Sequence, residues 1–238
     1  MLADSPASRA TGQLASGVIA EGRSKSAILD FILDQLPRWR DRPDRPRRTS
    51  ETTLTSQLCA HLNSAARKTP GWDCLQFRVE ETDEIQASRR IDLVAAPAGD
   101  ALIVQGRSYS DFETILPIEC KRLPTPPGSG RDECEYVHTH TGIGGGIQRY
   151  KEGKHGAAHV RAAIIAYVQD QNFDYWLTLI GTWIRDLYTA GKLGWTPADA
   201  LVCRKHDNVV GIAMHESVHS RTNLPDIRLR HLWVRMTL

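Results

Sequence analysis

Two residues apart in the segment 115–123 (ILPIECKRL), Glu119 and Lys121 stand in an otherwise apolar run. Earlier, the segment 89–96 (RRIDLVAA) sets Asp92 between Ile91 and Leu93. Carboxylates of this kind hold a divalent, oxygen-seeking cation, and a nearby ammonium can orient a water and steady developing negative charge. Charge neutralisation, an activated water and help for a leaving oxygen are what phosphodiester hydrolysis needs. If 115–123 is a strand, positions i and i+2 share a face, so Glu119 and Lys121 project together while Ile118 and Cys120 point into the core. A charge inside such a segment is costly unless paired, hydrated or bound to metal. Each feature alone also fits a surface ion pair on an edge strand, or an aspartate at a strand end. Their conjunction favours a site.

The elements that must position these residues can be read from periodicity and punctuation. Residues 1–24, rich in Ala, Ser and Gly, read as a mobile tail. An amphipathic helix is expected over 26–38, then a basic linker over 41–48 (DRPDRPRR). A second helix starts near Thr49 or Ser50, either of which can cap it, with a stripe of Leu54, Leu58 and Leu62. Glu51 falls on its inward face in the first turn, where an acidic residue also simply complements the helix dipole. Strands are expected over 74–81, 89–96 and 115–123, followed by a Pro/Gly loop over 124–130. Glycines at 142 and 144–146 lead into a helix around 147–154, and 162–168 (AAIIAYV) reads as a fully buried strand. A helix over 175–190 shows a stripe of Leu179, Trp183 and Leu187. Strands over 209–214 and 227–236 close the chain.

This order resembles the PD-(D/E)xK nuclease superfamily: helix with inward Glu, strand with Asp, strand with ExK, helix opening with Gln. The segments carrying the resemblance are SETTLTSQL, RRIDLV, PIECKRL and GGIQRYKEG, followed by AAIIAYV, roughly residues 49–168. Ile91 stands where the family's naming proline would be. The resemblance implies an α/β fold with a restriction-endonuclease-like core, a mixed central sheet flanked by helices in the order αβββαβ, with a C-terminal helix and strands added. It implies metal-dependent cleavage of DNA, RNA remaining open, with Mg²⁺ or Mn²⁺ as cofactor. Asp92 and Glu119 would bind the metal, assisted by the backbone carbonyl of Cys120, and Lys121 would orient or activate the attacking water. Glu51 would reach the metal directly or through water, and Gln148 would contact the water or phosphate. Arg90, Arg122, Arg149, Tyr150 and Lys151 are the expected nucleic-acid contacts. A role in bacterial (phage) defence or restriction follows by analogy alone.

Rival motifs exist. Residues 215–219 (HESVH) spell H-E-x-x-H, which on a helix could place His215 and His219 on zinc with Glu216 as general base of a metallopeptidase. The preceding VVGIAM is strand-like and Pro225 follows soon after, so a polar strand end and loop bordering the nucleic-acid groove is the expected reading. A nuclease-type fold that binds without cleaving is the other alternative. His138 and His140 could bind metal or simply be solvated. His155 and His159 have helical spacing, but Gly156 is expected to end that helix first.

Composition sets the frame. With 238 residues, 41% hydrophobic and 24% charged, the chain suits one globular domain over 49–238 with an appendage over 1–48. No apolar run approaches a membrane span, and no secretory leader is evident, so a cytoplasmic protein without membrane partners is expected. Five cysteines without a CxxC pair argue against a disulfide framework. A net charge of only +2 is modest for a protein that grips a polyanion, which suggests a homodimer or a partner protein that delivers the substrate.

Overall fold

The computed structural model describes residues 20–21, 23–99, 101–126, 128, 130–140 and 144–236; most of the expected tail lies outside them. A two-residue strand β1 (Ala20–Glu21) precedes helix α1 (Lys25–Arg40), whose N-cap Ser24 accepts from the Ala27 amide. Ser50 caps helix α2 (Glu51–Lys68) by accepting from the Thr53 amide, as the sequence predicts. Ile28, Ile32, Leu36 and Trp39 of α1 share one core cluster with Leu54, Leu58 and Leu62 of α2. Residues 25–40 therefore belong to the same packing unit as the rest of the chain, and position 48 is not a boundary between units.

Strands β2 (Leu75–Thr82) and β3 (Arg90–Pro97) follow, then a hairpin of β4 (Leu102–Val104) and β5 (Arg107–Tyr109), then β6 (Leu116–Leu123). Helix α3 (Gly146–Lys151), strand β7 (Arg161–Val168) and helix α4 (Phe173–Thr189) come next. A 3₁₀ turn (Pro197–Asp199) leads to β8 (Val202–Asp207), β9 (Ile212–Arg221) and β10 (Leu224–Arg235). Seven strands form one mixed sheet in the order β2-β3-β6-β7-β10-β9-β8. β7 lies parallel to both β6 and β10, and the remaining neighbours are antiparallel. The expected helix–three strands–helix–strand order is present, interrupted by the β4–β5 hairpin, which pairs with β1 in a small second sheet.

The alternation of β7 shows how the layers are built. Ala163, Ile165 and Tyr167 face the core under α1 and α2, while Ala162, Ile164, Ala166 and Val168 face the core under α3 and α4. A strand buried on both faces has no polar side to spare, which is why its sequence is a continuous apolar run.

Three expectations need correction. The buried stripe of α4 is Phe173, Trp176, Ile180, Ile184 and Leu187, whereas Leu179 and Trp183 lie half-buried at its border. The strand expected over 209–214 runs from 212 to 221, with Val209 in an exposed turn. α3 ends at Lys151 rather than 154. Among the described residues no helix is long and apolar enough to cross a membrane.

Candidate active site

Strands β3 and β6 pair over only three residues, Leu93 with Ile118, Val94 with Pro117 and Ala95 with Leu116. Beyond Ile118 they diverge, and the amides of β6 that would have faced β3 need other acceptors. Asp92 Oδ2 takes the Cys120 amide at 2.8 Å, and Glu51 Oε2, reaching in from the first turn of α2, takes the Arg122 amide at 2.9 Å. A residue's carbonyl leaves a strand on the same edge as its amide, so the Cys120 carbonyl belongs to this gap. Cys120 and Ile118 point their side chains into the opposite core, as expected.

Glu119 and Lys121 stand side by side on the α3 face, with Lys121 Nζ 2.9 Å from Glu119 Oε1. The same ammonium lies 3.8 Å from Glu51 Oε1 and 4.0 Å from Asp92 Oδ2. It is thus surrounded by three carboxylates. Glu119 is fully buried and holds three cationic or potentially cationic groups: Lys121 and Arg149 (2.5 Å) on Oε1, and His155 Nδ1 (3.1 Å) on Oε2. Arg131 joins Glu51, at 3.1 Å, to Glu135.

Protonation follows from these contacts. Burial alone would raise the Glu119 carboxyl, but Lys121, His155 and Arg149 more than offset it and hold the group well below the usual carboxylate range. Burial works against the Lys121 ammonium, yet Glu119, Asp92 and Glu51 raise its pKa, so it stays charged. A permanently charged lysine can orient water and steady negative charge, but it cannot take a proton. Asp92 goes the other way: burial and the neighbouring Glu119 charge push it up to about 7, against the Lys121 and Cys120 contacts. Asp92 is the point in the cluster where positive charge is short.

Two openings flank it. Glu51, Glu80 and Asp92, with Thr52, Thr55 and Ser56, line a cavity of about 30 Å³, enough for a water or two. Arg89, Arg90, Arg149 and His155 line an open pocket of about 340 Å³. The structure therefore brings together Glu51, Asp92, Glu119, Lys121, Arg90 and Arg149. His155, Arg131 and Glu80 join them without a spacing signal in the sequence, because each arrives from a loop or from an irregular strand position.

Other expected members lie elsewhere. Gln148 is buried and ties the Thr139 amide (3.2 Å) to Glu152 (2.8 Å), so it does not touch the cluster. On a helix adjacent residues are turned by about 100°, and Arg149, the next residue, is the one aimed at Glu119. Tyr150 is wholly buried, its hydroxyl donating to the Ala163 carbonyl, and has no surface for a nucleic acid. Lys151 is buried against Asp199 at 2.6 Å and is likewise withdrawn. The half-buried Arg122 contributes its backbone amide to Glu51.

The H-E-x-x-H residues lie within strand β9 rather than at a strand end or on a helix. Four strand residues span roughly 13 Å, too far for His215 and His219 to share an ion, and Glu216 points to the opposite face. His215 is buried with its ring on Trp233, centroids 4.2 Å apart, and neither ring nitrogen has a hydrogen-bond partner. The metallopeptidase reading fails on this geometry. No family model, curated protein or solved structure matches the chain.

Proposed function

We propose that this chain is a metal-dependent nuclease that hydrolyses phosphodiester bonds in DNA, built on a restriction-endonuclease-like core of α2, β2, β3, β6, α3 and β7. The observation that carries the reading is the meeting of Asp92, Glu119, Glu51 and Lys121 where β3 and β6 part, beside a pocket lined by three arginines. Glu119 also holds Arg149 and His155, and Glu51 also holds Arg131; Asp92, with Lys121 at 4.0 Å, is the least compensated of the three carboxylates, and it faces a cavity.

The residues suit Mg²⁺ or Mn²⁺, which prefer carboxylate and carbonyl oxygens and keep several waters. Asp92 and Glu51, with the Cys120 carbonyl, offer oxygen donors at the point where positive charge is short. Glu119 has both oxygens hydrogen-bonded, Oε1 to Lys121 and Arg149 and Oε2 to His155, so its share in an ion requires release of Arg149, whose guanidinium also lines the arginine pocket. Bound there, the ion would polarise the phosphate and supply an activated water. The chain's own part is clearer. Lys121 holds a fixed positive charge beside the developing oxyanion, Arg89, Arg90 and Arg149 seat the neighbouring phosphates, and the apolar sheet keeps the cluster rigid. A role in bacterial defence, and delivery of substrate by a second copy or partner protein, extend the same reading.

Cleavage of a mixed DNA panel with Mg²⁺ or Mn²⁺ tests it. Wild type should cut, while Asp92→Ala and Lys121→Ala, with unchanged circular dichroism, should fall by at least ~100-fold, the scale of losing a group that stabilises transition-state charge. Activity surviving in both variants would sink the assignment. Salt-sensitive DNA binding without cleavage by wild type would favour a binding module instead.

A further inference from the structure

A second set of ligand-type side chains stands apart from the carboxylates, at the turn that leads into α3. Cys134 Sγ and one ring nitrogen each of His138 and His140 all lie within 4.8 Å of one another. Among the described residues this is the one trio of Cys, His, Asp or Glu ligand atoms that converges so closely. Cys134 Sγ is 3.7 Å from His140 Nδ1. With Zn–S near 2.3 Å and Zn–N near 2.05 Å, the S···N edge of a tetrahedral zinc site is about 3.6 Å. Thiolate and imidazole donors select zinc over magnesium, whose preference is for oxygen.

The ligands are also held in place. The His138 amide donates to the Cys134 carbonyl at 3.0 Å, and Asp132 fixes the His140 backbone by accepting its amide at 2.8 Å; the other Asp132 oxygen lies 3.1 Å from His140 Nδ1, the nitrogen that faces Cys134 and that zinc would take over. The chain doubles back so closely here that a Cβ on Gly145 would sit 2.1 Å from His138 Cα, so only glycine fits. All three ligands open on a cavity of about 580 Å³ against Trp183, Asp186 and Leu187 of α4, which leaves room for a fourth ligand.

We propose that Cys134, His138 and His140 bind one zinc ion, with water in the fourth position. The ion would staple a segment that caps α3: the carbonyls of Glu135, Tyr136 and Val137 accept from the amides of Gly146, Ile147 and Gln148 at 2.8, 3.1 and 2.9 Å. Fixing this turn fixes the start of the helix that presents Arg149.

Metal content and cobalt spectroscopy of the full chain test this without reference to cleavage. Wild type should retain one zinc per chain after dialysis. With Co²⁺ it should show a thiolate-to-metal charge-transfer band and the intense visible bands of tetrahedral cobalt. Cys134→Ser should lose the charge-transfer band, and His140→Ala, at an exposed position, should weaken zinc by more than ~100-fold. Asp92→Asn should bind zinc as wild type does, which separates this ion from the one at the carboxylates. A wild type with no cobalt–thiolate band, or zinc binding unchanged in Cys134→Ser/His140→Ala, would overturn the proposal.

Discussion

The sheet carries two buried polar assemblies, and they are opposites. Around Lys121, three carboxylates crowd one ammonium, and Asp92 is left wanting positive charge at the edge of a cavity. Under α3, on the other side of β7, a chain of hydrogen bonds runs from Trp233 to Asp199, and with both histidines neutral one ordering of the protons satisfies every link. Trp233 Nε1 can only donate, so the Tyr136 oxygen accepts it at 2.9 Å, and the Tyr136 hydroxyl donates to His231 Nδ1 at 2.7 Å. His231 Nε2 then donates to Ser217 Oγ (2.8 Å), Ser217 donates to His219 Nε2 (2.6 Å), and His219 Nδ1 donates to Asp199 (2.6 Å). Lys151 completes the carboxylate at 2.6 Å. This ordering requires both histidines to be neutral, in accord with burial lowering the pKa of each. Although Asp199, His219 and Ser217 stand in the order of a hydrolase triad, Ser217 already accepts from His231. A satisfied network holds a fold together; an unsatisfied one invites a ligand. That contrast separates the assembly proposed to carry chemistry from the one that holds the fold.

The contrast is sharpest in a pair of matched substitutions. Asp92→Asn should cut DNA cleavage by at least ~100-fold, yet raise stability above neutral pH by about 1 kcal/mol, because it removes a charge that burial and Glu119 oppose. Asp199→Asn should do the reverse, costing about 3–5 kcal/mol by leaving Lys151 buried without its partner, with activity per folded molecule retained. Chemical denaturation alongside a cleavage assay measures both. If both variants lost stability equally, the distinction would collapse.

Acid should act through His215, which packs on Trp233 beside that network without joining it. Burial lowers His215 to about 4, so the unfolded chain binds a proton near its ordinary pKa of about 6.5 that the folded chain refuses. Stability present above about pH 6.5 is therefore lost as pH falls toward 4, by up to a few kcal/mol. His215→Leu, which removes two ring nitrogens without partners, should flatten that limb of a pH–melting profile. An unchanged slope would show that His215 is not the group responsible.

The smallest effect separates neighbours on α3. Arg149→Ala should weaken DNA binding by about 1–2 kcal/mol, on the scale of a charged hydrogen bond, whereas Tyr150→Phe should leave binding unaltered. Fluorescence anisotropy at two salt concentrations would resolve them, and a loss in Tyr150→Phe would contradict its burial.

Much of this was legible in the sequence because it rests on short-range rules. Ser50 capping α2, the face shared by Glu119 and Lys121, and the two-sided burial of AAIIAYV all follow from local periodicity. What escaped was set by tertiary geometry. The β4–β5 hairpin has three-residue strands, too short to show alternation, and turns on Gln105 and Gly106, both at positive φ. Strand β8 is almost wholly exposed (VCRKHD), so it carries no apolar face to betray it; its charges suit a sheet edge that must resist further pairing. His155 reaches Glu119 from beyond the end of α3, a placement no spacing rule encodes. Gln148 and Arg149 differ by one step around a six-residue helix, and the packing of Ile147 and Tyr150 decided which of them faced the carboxylates.

The parting of β3 from β6 makes two backbone amides part of the candidate site. Those of Cys120 and Arg122 are shielded from solvent by the carboxylates of Asp92 and Glu51 rather than by a neighbouring strand. Their hydrogen exchange should therefore follow the state of two side chains while the rest of β6 follows global unfolding. A single strand would then carry adjacent clocks, one timing the fold and the other timing occupancy of the gap.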